Sequence, residues 1–124
     1  FIAGDVTETD VAERIAALDN VTSIGFDKDI VQKLTNYDLA VFPSHSEGFP
    51  YAVLEAAHAG LPFIASDIPA HLELSELVGP FPLFAVGDVV SLVGRSAGLF
   101  PGGGGRRQSH LCPSFVHVQS GQKL

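Results

Sequence analysis

No methionine, one cysteine and few bases are the first features of this chain, which carries seven Lys and Arg against fourteen Asp and Glu. Each scarcity removes a class of answer. Cys112 alone forms no internal disulfide and fits a reducing compartment. A formal charge of −7 argues against a nucleic-acid surface. No apolar run approaches the roughly 18 residues of a membrane span, and no signal-peptide pattern heads the chain. A sequence that opens at Phe1 without any methionine is expected to be a piece of a longer protein. Metal-ligand spacing is lacking too: His45, His58 and His71 form no set with a carboxylate or thiolate, and His110, Cys112 and His117 lack a fourth ligand. No protein-bound metal and no cofactor are expected. Asn20-Val21-Thr22 is a glycosylation sequon by letter only.

What is present reads as globular: 46% hydrophobic and 17% charged residues over 124, enough for one small domain. Phe1 to Asp5 resembles the end of a buried strand turning at Gly4, with Asp5 more simply a turn or cap than a ligand. Thr7 and Asp10 have capping-box spacing before Val11, Ile15 and Leu18 at helical period, stopping near Asp19-Asn20. Val21 to Gly25 is a β-branched strand candidate, and Asp27 or Asp29 can cap a helix using Ile30, Val31, Leu34 and Tyr37. Strand and helix alternate, the pattern of a doubly wound parallel α/β sheet.

The informative stretch is Val41 to Asp67, VFPSHSEGFPYAVLEAAHAGLPFIASD. Leu39 to Phe42 is an apolar strand, Pro50 suits the first helical position, and Gly60-Leu61-Pro62 ends the helix before a second strand, Phe63 to Ser66. Glu47 lies before that helix and Glu55 in its second turn, with seven residues between them. The free amides and partial positive charge at a helix start suit phosphate, and a carboxylate on either side can orient hydroxyls. Taken alone, the same spacing also fits an acid that complements the helix dipole and a solvated surface acid. In a parallel sheet ligands lie beyond the carboxyl ends of the strands, so the mouth is expected at Gly4-Asp5, Gly25-Phe26-Asp27, Ser44 to Phe49 and Asp67 to His71. His58 is expected to meet the last carbonyls of its helix, His45 to face solvent, and Asp67 to hydrogen-bond its own loop.

These letters resemble the signature of the group 1 retaining GT-B glycosyltransferases, which take sugars from nucleotide donors. Pro43, Ser44, Glu47, Gly48, Phe49, Glu55, Ala56, Gly60, Pro62, Ser66 and Asp67 fall on the family's pattern in order. The resemblance implies an incomplete Rossmann-like half, the C-terminal domain that binds the nucleotide-sugar donor. Glu47, as the catalytic-site residue, would hold the donor sugar together with Gly48 and Phe49. The amides of Phe49, Tyr51 and Ala52 would meet the diphosphate, Glu55 the ribose, and Gly25 with Phe26 the nucleobase, although Gly25 is equally an ordinary strand-ending turn. His71 would be an acceptor-side residue in a loop. Transfer would proceed with retention, onto an acceptor that the letters do not name.

The resemblance covers residues 1–94. It continues through Pro82 to Asp88, with Val89 to Val93 starting a helix, and fades after Gly94. Residues 95–124 are expected to be a Gly-rich, disordered or non-native tail. Gly102 to Gly105 lacks the lysine and hydroxyl of a phosphate loop. An N-terminal acceptor domain and the family's basic diphosphate residues are missing from this stretch, since Arg14, Lys28 and Lys33 lie away from the mouth. A sheet lacking strands before Phe1 is also expected to expose an apolar edge. Two other readings stay open, an inactive nucleotide-sugar-binding remnant and a sugar-nucleotide epimerase of the same fold. The place implied is the cytoplasm, or the inner face of a membrane for the full-length protein.

Overall fold

The computed structural model describes residues 1–99 and, as backbone, residues 115–118. Six strands form one parallel sheet: β1 (Ile2–Ala3), β2 (Ser23–Gly25), β3 (Leu39–Phe42), β4 (Phe63–Ser66), β5 (Leu83–Phe84) and β6 (Phe115–Val118). Between them run α1 (Thr9–Ala16), α2 (Ile30–Lys33) continued by a 3-10 turn (Leu34–Asn36), α3 (Tyr51–His58), α4 (Pro69–Val78) and α5 (Val89–Gly98). The strand order is β2-β1-β6-β3-β4-β5. This is a partial Rossmann-like α/β domain. The chain steps outward from β1 to β2 on one side and from β3 to β5 on the other, so the winding reverses around β6.

The two best-read strands owe their form to burial on both faces, which favours unbroken apolar runs. Along β3 the side chains alternate: Leu39 joins one core with Ile64 and Phe84, whereas Ala40 and Phe42 join the other with Val53, Ala56, Ala65 and Leu74. Leu92 and Leu99, from α5 and its end, pack on the first core, and α3 and α4 supply the second. Gly60, at φ +70°, turns the chain out of α3 in the left-handed conformation that other residues adopt at a cost, and the Leu61 amide bonds back to the Ala56 carbonyl at 3.1 Å.

Several expectations change. The capping box at Thr7 and Asp10 does not form, because α1 starts one residue later than that spacing needs, with Glu8 at the cap and no side-chain cap bond. No residue of α1 is buried. Asp27 bonds the Asp29 amide at 2.9 Å and pairs with Lys33 at 2.5 Å, holding the turn before α2. The Lys33 hydrogen bond and then the Asp29 amide keep the Asp27 carboxyl below its ordinary value.

The boundary expected after Gly94 falls inside α5, which continues to Gly98 from an Asp88 cap that accepts from the Ser91 amide at 3.0 Å. Within the stretch expected to be tail, residues 115–118 form β6, with Ile2 in register with His117 and Ala40 with Val116. β1 is therefore flanked on both sides, contrary to the expected exposed edge. The edges are instead the short β2 and β5, and short edge strands limit unwanted pairing. The glycine run and the side chains of His110, Cys112 and His117 lie outside the described residues.

Candidate functional site

The carboxyl ends of the strands carry the loops that matter. β3 ends at Phe42, the loop Pro43 to Pro50 follows, and α3 starts at Tyr51. On the far side, Gly25 closes β2 at φ +64° and bonds the Gly4 amide through its carbonyl at 2.9 Å, while Phe26 is 78% exposed. Three strand spacings separate β2 from β3, roughly 14 Å. The sites expected for a base and for a sugar are thus spread along one edge, at a separation that a nucleoside diphosphate can bridge.

Glu47 does not point into open solvent. Its side chain is 4% exposed. Ser44 Oγ donates to its Oε1 at 2.5 Å, and His71 Nε2 stands 3.8 Å from the same oxygen. Ser66 Oγ donates in turn to the Ser44 carbonyl at 2.6 Å. The ends of β3 and β4, the intervening loop and the first turn of α4 are therefore tied together beneath the mouth.

The loop expected at His71 is the start of α4, and the ring is completely buried. That corrects the acceptor-side assignment: a side chain sealed beneath Glu47 cannot meet an acceptor. Pro69 at the first helical turn, followed by Ala70, Leu72, Glu73 and Leu74, was the available signal for this helix. Ser66 falls on the family pattern, but its tie between two strand ends has no local signature in the sequence. Asp67 bonds outward, accepting from the Val86 amide at 2.8 Å across to the loop before α5, rather than within its own loop.

At the start of α3, Pro50 is the cap, one position earlier than expected. The Tyr51 amide donates to the Phe49 carbonyl at 3.0 Å, so one of the three amides expected at a diphosphate is already engaged. Ala52 is buried, whereas Phe49 and Tyr51 are exposed with ring centroids 4.7 Å apart. Glu55 is exposed on the second turn, and His58 lies in the last turn of α3.

Gly48 is exposed, its φ is not positive, and a Cβ built there meets no atom within 4 Å. Neither backbone conformation nor packing requires glycine at this position. Gly48→Ala should therefore shift the midpoint of thermal unfolding little. The same change should weaken binding of a nucleotide sugar measurably in calorimetric titration. Equal affinity would show that nothing approaches position 48.

A shallow hollow of about 60 Å³ lies between Gly48-Phe49-Pro50 and the α4 residues Ala70, Glu73, Leu74 and Leu77. A larger one, about 310 Å³, lies beneath α1 between Val6, Ile15, Leu18 and Val21, away from both glutamates. The smaller opens beside the loop that carries Glu47. Among the described residues no three His, Cys, Asp or Glu side chains gather around a common point, and no helix is long and apolar enough to cross a membrane.

Over 50 residues, 40% of its length, this chain is 44% identical to N,N'-diacetylbacillosaminyl-diphospho-undecaprenol alpha-1,3-N-acetylgalactosaminyltransferase of Campylobacter jejuni subsp. jejuni serotype O:2, and the match spans 13% of that protein. No solved structure matches. The family described as glycosyl transferases group 1 matches residues 1–96, which takes in every strand from β1 to β5 and both glutamates. The chain belongs to the group 1 glycosyl transferases.

Proposed function

We propose that this chain supplies the nucleotide-sugar-binding half of a retaining GT-B glycosyltransferase. The observation that carries the proposal is the placing of Glu47, Gly48 and Glu55 around the start of α3, at the carboxyl edge of a parallel sheet inside the family match. Glu47 positions hydroxyls of the donor sugar near the reacting carbon. The exposed start of α3 stabilises charge on the departing diphosphate through its dipole and the Phe49 and Ala52 amides, with Tyr51 joining once its bond to Phe49 is released. Glu55 accepts from the ribose hydroxyls, and Gly25 with Phe26 lies along the base. No metal is assigned a part. The acceptor, and a second domain that brings it, complete the reaction, with the whole protein in the cytoplasm or at the inner face of a membrane.

One observation favours a second reading, a module that binds donor without turnover: the Glu47 carboxylate is enclosed here and must be uncovered before it meets a sugar. Binding separates the two less well than chemistry does. Titrating the chain with a panel of nucleotides and nucleotide sugars tests their shared part. Donors of N-acetylgalactosamine come first, because the relative's name specifies that group. Glu55→Gln is isosteric and surface-exposed, so the fold should persist while nucleotide affinity drops by about 1.5–3 kcal/mol, the range for hydrogen bonds to a charged group. An unchanged affinity would remove Glu55 from the ribose site.

A further inference from the structure

The geometry points to His71 as a positioning residue for Glu47: a buried imidazolium, locked by the Ser66 carbonyl, that fixes the carboxylate from beneath. Its ring is 0% exposed, and its Nδ1 lies 2.7 Å from the Ser66 carbonyl oxygen. A carbonyl only accepts, so Nδ1 carries a hydrogen. Ser66 Oγ, 3.4 Å from the same nitrogen, directs its own hydrogen to the Ser44 carbonyl and offers Nδ1 only a second acceptor. The ring's orientation and the state of Nδ1 are thereby set by the ends of β3 and β4.

Nε2 is then the only open variable. Among the described residues it has no hydrogen-bond partner, yet it is buried, and Glu47 Oε1 stands 3.8 Å away. A lone pair on Nε2 facing an ionised oxygen across that gap, away from water, is repulsive; a hydrogen on Nε2 turns the same contact into an ion pair. Burial by itself favours a hydrogen on Glu47, but Ser44, whose hydroxyl already donates to Oε1, opposes it and favours the ionised carboxylate. Other charged groups nearby are engaged or turned away: Asp67 is bonded to the Val86 amide, and Glu73, Glu76 and His45 are exposed. Among the described residues Glu47 is the one carboxylate within ion-pair distance of the ring.

The consequence is a carboxylate held in one place before any donor arrives. Ser44 grips one oxygen by a hydrogen bond, and His71 holds the same end by charge. Once uncovered toward a donor, a carboxylate anchored at this end keeps its placement, which is what a residue that orients a reacting group requires. The effect on turnover rests on the proposed role of Glu47, whereas the hydrogen on Nε2 does not.

The test has two arms. In the first, the whole chain labelled with 15N-histidine is studied by NMR at neutral pH. His71 should show both ring nitrogens carrying hydrogen, distinct from the exposed His45 and His58. Glu47→Gln should convert Nε2 to the form with a free lone pair. A His71 spectrum matching the exposed histidines, or one untouched by Glu47→Gln, overturns the proposal. In the second, His71→Asn in the catalytically active protein keeps a donor near the Ser66 carbonyl and removes the charge facing Glu47. It should lower kcat by up to about a hundredfold, the scale for misplacing an orienting group by an ångström, with affinity for bare nucleotide unchanged. Equal loss in both, or none in either, overturns the positioning role. Should Glu47→Ala also leave turnover intact, it is the donor-binding reading that fails, and the NMR result stands by itself.

Discussion

Phe42→Ala should cost about 3–5 kcal/mol of folding stability, the usual range for removing a buried aromatic ring. Phe42 ends β3 at 1% exposure and meets Phe63 edge-on, with ring centroids 6.1 Å apart. It stands in the larger core with Val53 and Ala56 of α3, Ala65 of β4 and Leu74 of α4. Those neighbours are held by the sheet register, Phe42 opposite Ala65, and cannot close over the void. Small domains have only about 5–15 kcal/mol in total, so the loss is a large share of the whole. Urea unfolding followed by circular dichroism checks it; a change below about 1 kcal/mol would mean that the two β-strands and α3 do not share one core. The site should suffer with the core, because the loop carrying Glu47 begins one residue after Phe42.

β3 and β4 were legible to the residue, since a strand buried on both faces needs an unbroken apolar run and Leu39 to Phe42 and Phe63 to Ser66 supply one each. The end of α3 was legible for a different reason: Gly60 and Pro62 are local signals of chain conformation, and local signals survive in sequence. α4 was hidden because Asp67-Ile68-Pro69 reads equally as a turn, and only the helix formers after Pro69 tip the balance. β6 was out of reach. A four-residue strand paired with residues about 75 to 115 positions away is specified by the slot between β1 and β3, not by its neighbours in sequence.

Glu47 shows the same limit at the site. Its position before α3 was readable, but a sequence does not say which way a loop side chain turns, and that is decided by Ser44 and by His71 from another helix. Spacing therefore located the candidate residues. Long-range packing, which spacing does not encode, chose their orientation.

That orientation shapes the expected result for Glu47→Ala, the largest effect on chemistry. In the catalytically active protein, kcat with the cognate nucleotide sugar should fall by about a hundredfold or more, the cost of displacing reacting groups by an ångström or so. Affinity for the bare nucleotide should change little, because in the proposed site the lost contact is to the sugar, and Glu55, proposed to meet the ribose, lies on α3 away from the Ser44–Glu47–His71 group. Some stability should also go: the substitution leaves Ser44 Oγ without its acceptor and His71 facing a void, at about 1–3 kcal/mol for a buried polar group left unpaired. The two effects separate by measurement. Nucleotide titration on folded material reports the site, and a thermal melt reports the fold. Glu47→Gln sharpens the distinction, since it keeps the volume and an acceptor for Ser44 while removing the charge. If Glu47→Gln retains full turnover, the carboxylate is a fastening for the loop alone, and the sugar contact must be sought in another residue at the edge of β3 and β4.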